Sequence, residues 1–240
     1  HPVAHSFPTR RSSDLSPHPV QPNFHLLPWT LTLEQTSALV TRSRAEGTTV
    51  HAALCTAFLR AFGEVHEEGW NRKIQSPVSL RDRLAQPVGE AFGLFVNLVA
   101  FQIDCDPRYG FWEVARRIKK RFVRLTGDRQ VFKSLIEADV VTRQGRDILT
   151  PQLAAQVFMA ADHDLSISNL GRLDFPTQYG SLQVDALFGP ILGGDPEDVV
   201  LGVLTFGGKM HLSLSFADLK MNVPQAEKII EAAMQCLLTA

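Results

Sequence analysis

The triplet Asp162-His163-Asp164 holds residue types that ligate a metal or carry a proton. Three consecutive side chains in an extended segment point different ways, however, and no further ligand is spaced nearby. It is read as a surface turn, a setting that Asp favours through local backbone hydrogen bonds. His51 opens a helical pattern with neither a nucleophile nor an orienting acid beside it, and is read as a lone structural histidine near a cap. Ser166 and Ser168 lack the G-x-S-x-G turn that exposes a hydrolase serine. Asn97 stands in a less ordinary place. From Leu94 to Ile103 nearly every side chain is apolar, the pattern of a strand covered on both faces. An amide buried there costs about 1–3 kcal/mol if its hydrogen bonds are unmet. It must bond a neighbouring backbone, hold two strands in register, or meet something that enters the protein.

Three further groups qualify. The strand end Leu165-Ser-Ile-Ser-Asn-Leu-Gly171 places Asn169 beside a glycine suited to positive φ, which is a sufficient structural reason for both residues. Arg81-Asp82-Arg83 follows a predicted strand; its plain reading is a local Arg–Asp pair, an exposed kind that contributes only ~0–1 kcal/mol. The helical stretch Phe111 to Leu125 carries Arg116, Arg117, Lys119, Lys120, Arg121 and Arg124 on one face, either plain solvated charge or a surface for an acidic or phosphorylated partner. Gly193-Gly194 and Gly207-Gly208 lie beside strands without the Lys-Ser/Thr pair of a phosphate loop.

Composition bounds these readings. The 240 residues are 45% hydrophobic with a formal net charge of −1, so no global basic character points to nucleic acid. No run approaches eighteen apolar residues, and no transmembrane helix is expected. Three widely spaced cysteines, Cys55, Cys105 and Cys236, indicate neither a zinc site nor a disulfide framework, and a reducing cytoplasmic setting follows.

The elements that must position these residues are legible in outline. Ser16 to Pro28 has four prolines and no period, and residues 16–30 are expected to be a linker or extended arm. Thr32 with Gln35 forms a capping-box pattern for a helix that Gly47 ends. Thr48 or Thr49 caps a second helix with Ala53, Leu54, Ala57, Phe58, Ala61 and Phe62 on its apolar face, expected to stop at Gly63. Strands are expected at Lys73 to Leu80, Leu94 to Ile103, Leu165 to Leu170, Leu182 to Phe188, Val199 to Phe206 and Met210 to Phe216, the last two joined by a Gly207-Gly208 hairpin. Short helices are expected at Val131 to Asp139 and Pro151 to Ala161, and Pro224 opens a final helix. The glycine-rich loop Phe188 to Asp195 reads as a mobile connection reaching toward a partner lobe. Mixed rather than alternating order predicts an α+β fold, a mixed α/β sandwich with helices packed mainly on one face of a mixed sheet.

The run Gly93-Leu94-Phe95-Val96-Asn97-Leu98, with Val88-Gly89 upstream, resembles the G-x-F-V-N-T element in the C-terminal half of condensation domains and related acyltransferases. Within that chloramphenicol-acetyltransferase-like superfamily, the chain is most similar to the alcohol acetyltransferase and phthiocerol/phthiodiolone dimycocerosyl transferase branch. The resemblance implies a C-terminal acyltransferase lobe over residues 31–240. It also implies an acyl-CoA or phosphopantetheinyl thioester as donor substrate with no tightly bound cofactor, and a small-molecule hydroxyl or amine acceptor. Catalysis in these proteins rests on a His-His-x-x-x-Asp motif of the N-terminal half, and here no histidine is followed four residues on by Asp. A missing N-terminal lobe is therefore the expected partner, and the fragment alone is expected to be inactive. Asn97, Ser168 and Asn169 become candidates for the channel wall or lobe interface, and Arg81 for orienting a carboxylate of the other lobe or meeting a phosphate. Arg116 and Lys120 become candidates for docking an acyl-carrier protein or CoA. A non-catalytic carrier-binding or assembly module is the alternative. Residues 1–15 resemble an in-frame translation of a sequencing-adapter oligonucleotide and are expected to be non-native.

Overall fold

Strands β1 (Phe24–Leu31), β2 (Lys73–Ser79), β3 (Val96–Gln102), β4 (Leu165–Arg172), β7 (Val200–Phe206) and β8 (Lys209–Ala217) form one mixed sheet in the order β1-β8-β7-β4-β2-β3. The short β5 (Gln178–Tyr179) and β6 (Leu182–Gln183) make a separate two-stranded ribbon. Helices α1 (Leu33–Ala45), α2 (Val50–Val65), α3 (Phe111–Leu125) and α4 (Val223–Thr239) complete the architecture. This is a computed structural model describing residues 22–65, 72–106, 108–127, 129–133, 136, 163–190 and 198–240. The short helix expected at Pro151 to Ala161 lies outside the described residues, as does most of that at Val131 to Asp139.

Local chemistry sets the helix ends. Gln35 N donates to Thr32 Oγ1 at 3.1 Å while Thr32 N donates to Gln35 Oε1 at 2.9 Å, so two of the orphan donors that every helix start leaves are satisfied reciprocally. Asn222 and Gln225 repeat the device at α4. Gly47, at φ 66°, closes α1 in the left-handed conformation that glycine adopts without a Cβ penalty. Gly63 does not stop α2, which continues to Val65. A glycine inside a helix costs only about 0.5–1 kcal/mol, and α2 recovers that by burying ten side chains along its length.

Helix α2 is the centre of the core. Its Leu54, Phe58, Leu59 and Phe62 are enclosed, with α3 and α4 packed on it, and the sheet offers Ile74, Ile167, Leu201, Leu212 and Leu214 to the same cluster. The helices thus cover one face of a mixed sheet, as the element order predicts.

Two strands depart from expectation. Residues 24–30, expected within a linker, form β1, paired antiparallel with β8 over its whole length. Pro28 sits opposite Ser213 in this ladder, which an edge strand tolerates because one of its sides needs no backbone donor. The asparagine strand β3 is the other edge, and only alternate residues Asn97, Val99 and Phe101 are buried. Val96, Leu98 and Ala100 are half-covered, so the continuous apolar run does not mark a strand enclosed on both faces. The strand expected at Leu182 to Phe188 is confined to β6, and the residues after it run irregularly.

The sheet face turned away from the helices is polar. Strand alternation places Gln75, Ser166, Ser168, His211, Ser213 and Ser215 there, all buried. The register sets Ser213 beside Gly202 and Gly202 beside Ser168. The bare Gly202 admits the Gly189–Pro190 backbone, since a Cβ at Gly202 would lie 2.7 Å from the Gly189 carbonyl carbon. Phe188 stands edge-on to the His211 ring at 5.4 Å. Residues 188–190, the described part of that loop, lie on this face.

Candidate functional site

Strands β2 and β4 run parallel, and where their carboxyl ends stop, α2 begins and α3 crosses. Ligands of open sheets with parallel strands settle beyond such ends. A groove of about 430 Å³ opens here, lined by Pro77, Val78 and Ser79 of β2, Asn169, Leu170 and Gly171 of β4, Thr49, His51 and Ala52 of α2, and Ile118, Lys119, Phe122 and Val123 of α3. Its size falls within the roughly 300–1,000 Å³ of small-molecule sites. Apolar walls with few polar groups suit a flexible, largely apolar chain.

His51 is a polar group of the groove that comes from α2. Thr49 caps α2 by accepting from Ala52 N at 3.2 Å, which places His51 in the first turn. Its ring leans on Phe122 at 5.1 Å, and its Nε2 lies 3.1 Å from Ser76 Oγ and 3.6 Å from Cys55 Sγ. Burial pushes its pKa down to about 4, so the imidazole is neutral near pH 7 and acts there as a hydrogen-bonding group. Periodicity carries the signal for this contact. Residues 51, 54, 55, 58 and 62 share one helical stripe, which aims His51 at the sheet and not at solvent. Sequence neighbours do not reveal Ser76, which arrives from a strand 25 positions away.

Of the residues that the resemblance singled out, only Asn169 lines this groove, and its Oδ1 accepts from Gly171 N at 2.8 Å, the local turn that the glycine allows. Ser168 points to the opposite, polar face. Asn97 borders a separate hollow of about 200 Å³ with Leu125, Gln130 and Lys133. Its amide nitrogen donates to the Val131 carbonyl and its oxygen accepts from Leu98 N at 2.9 Å, so a neighbouring backbone meets it. Arg81 forms no local pair with Asp82. It donates to the carbonyls of Gly89 at 3.0 Å, Ala91 at 3.1 Å and Gly93 at 3.4 Å, and its guanidinium lies 4.7 Å from the Phe95 ring centre. Arg116 is tied to Glu46 at 2.8 Å, while Lys120 is exposed without a hydrogen bond or ion pair among the described residues.

The triplet at 162–164 is not a surface turn in its described part. The His163 side chain is buried with its Nε2 3.3 Å from Asp198 Oδ1, and Asp164 accepts from Lys73 N at 2.9 Å. Among the described residues no group of three His, Cys, Asp or Glu side chains is placed to hold a metal ion. The Cys55 and Cys105 thiols are pushed up by burial, Cys105 to about 11, so neither is a ready nucleophile. Among the described residues no helix is long and apolar enough to cross a membrane.

Comparison with known proteins places this geometry. A family model described as the phthiocerol/phthiodiolone dimycocerosyl transferase C-terminus matches residues 21–214. The chain belongs to this transferase C-terminus family. No curated protein matches it. Members of this family are joined by solved structures of the same fold. The epimerization domain of the third module of tyrocidine synthetase B superposes with a TM-score of 0.62 at 17% identity, over 90% of this chain and 47% of that one. Polyketide synthase associated protein 5 from Mycobacterium tuberculosis gives 0.55 at 15% identity, over 91% and 53%. Trichothecene 15-O-acetyltransferase from Fusarium sporotrichioides gives 0.58 at 11% identity, over 90% and 46%. The chain thus spans about half the length of the structures it resembles, and the family's C-terminal lobe is the part it supplies.

Proposed function

We propose that this lobe is one half of an acyltransferase that moves an acyl group from a CoA or phosphopantetheinyl thioester to a hydroxyl or amine. The observation that carries the reading is the family match across residues 21–214, with an apolar groove at the carboxyl ends of β2 and β4 within that span. The acceptor oxygen or nitrogen attacks the thioester carbonyl, its proton passes to a base, and the thiolate leaves and is protonated. In this sequence no histidine is followed four residues on by Asp, and the histidine of the groove is held neutral with a pKa near 4. The base therefore comes from a second lobe bearing His-His-x-x-x-Asp. This lobe contributes a wall, with Asn169 and His51 among its polar groups. Lys120, exposed on α3, is the better of the two docking candidates for an acyl carrier or CoA, since Arg116 is engaged with Glu46.

The test is acyl transfer measured with acetyl-CoA and an alcohol. The 240-residue chain alone is expected to leave the uncatalysed rate unchanged, and the same chain joined to an N-terminal lobe with the motif is expected to form ester. Enzymatic turnover by the chain alone, or none by the joined protein, overturns the proposal.

A further inference from the structure

His51 holds a hydrogen-bond donor that no described residue uses. Ser76 is fully buried, and the contact between its Oγ and His51 Nε2 is its one side-chain hydrogen bond among the described residues. If Nε2 carried the ring proton, it would donate to Ser76 Oγ, and the serine hydrogen would be buried with no acceptor. A buried donor left unmet costs more than a hydrogen bond returns. The arrangement that satisfies both groups has the Ser76 hydroxyl donating to Nε2, which puts the ring proton on Nδ1. Nδ1 has no partner among the described residues, and the ring it belongs to lines the groove between Ala52, Val78 and Phe122. The site therefore offers the His51 ring N–H within largely apolar walls, beside the Asn169 side chain, at the carboxyl ends of two parallel strands.

We propose that the groove takes a linear chain bearing an amide, and that His51 Nδ1–H donates to its carbonyl, the serine acting to fix the tautomer. Resting on the thioester reading above, the chain of this chemistry is the pantetheine arm shared by CoA and carrier proteins. It is extended, narrow and largely apolar between two amide groups. His51 is then a positioning residue. It exchanges no proton with the reacting atoms and sets how far the arm slides along the groove.

The experiment is ring-nitrogen NMR on the 240-residue chain with labelled histidine, titrated with pantetheine and, separately, with n-hexanol, which has no amide. At pH 7 the His51 ring is expected to show protonated Nδ1 and bare Nε2, and pantetheine is expected to shift Nδ1. His51→Phe, which keeps the contact with Phe122, is expected to bind pantetheine roughly 2- to 10-fold more weakly, the factor that one hydrogen bond supplies, and n-hexanol equally. A protonated Nε2, a His51 signal unmoved by millimolar pantetheine, or undiminished pantetheine binding by His51→Phe overturns the proposal. Should that variant fail to fold, the tautomer and the Nδ1 response of the native chain decide alone. Acyl transfer by the joined protein without any His51 response sinks this inference only. A His51 response without transfer sinks the function proposed above and leaves the groove contact standing.

Discussion

The side-chain nitrogen of Asn97, on edge strand β3, donates to the main-chain carbonyl of Val131, just beyond α3. The amide is 2% exposed, so neither group can turn to water in the folded chain. Asn97→Leu should therefore cost about 1–3 kcal/mol by removing a buried hydrogen bond to the Val131 carbonyl. Urea unfolding of the two proteins measures it, and a change below about 0.5 kcal/mol would place the weight of Asn97 outside folding.

Arg81 binds three carbonyls of the 89–93 loop and stacks on Phe95, yet these contacts are solvent-exposed. Arg81→Ala is expected to lower global stability by less than about 1 kcal/mol while freeing the loop. Amide hydrogen exchange should quicken at residues 89–95 and stay unchanged in α2. Exchange unaltered in the loop would show that Arg81 does not hold it.

Gly202 lies where β7 meets the Gly189–Pro190 backbone, and a Cβ there would come within 2.8 Å of the Gly189 oxygen. Both partners are main chain and cannot rotate away. Gly202→Ala is expected to cost about 1–3 kcal/mol as the segment is lifted from the sheet, exposing the buried serines beneath it. Thermal unfolding reads the loss, and an unchanged midpoint would mean the approach is looser than these distances state.

The depressed pKa of His51 gives stability a pH dependence. The folded ring protonates near pH 4 and the unfolded one near 6.5. Above 6.5 both are neutral and the contribution is complete. As pH falls from 6.5 toward 4 the unfolded chain takes up the proton first, and stability drops by roughly 3 kcal/mol. His211, also lowered by burial, acts in the same direction. In urea titrations at pH 7, 5.5 and 4.5, His51→Phe should show a shallower decline than the native chain. Parallel declines would mean His51 titrates alike in both states.

What was legible in the sequence was local. The Thr32–Gln35 box and the Gly207-Gly208 hairpin, with φ 56° and 80°, are settled within four residues of chain. The ladder of β1 with β8 was not, because Phe24 pairs with Ala217 and nothing near Phe24 announces that partner. The β3 run was apolar enough for a central strand, and its edge position is fixed by the order of the whole sheet. The meeting of His51 with Ser76 was hidden likewise. Each reads as ordinary within its own element, and the packing of α2 across β2 creates the pair.

Strand β3 has a hydrogen-bonding neighbour on one side only among the described residues, and between Val96 and Gln102 it carries neither a proline nor a charge. Natural edges are usually blunted by such residues because a bare row of amides and carbonyls templates further strands. A bare rim of that kind favours intermolecular pairing in concentrated solution. Substituting lysine for half-covered Leu98 is the conservative way to keep preparations monodisperse.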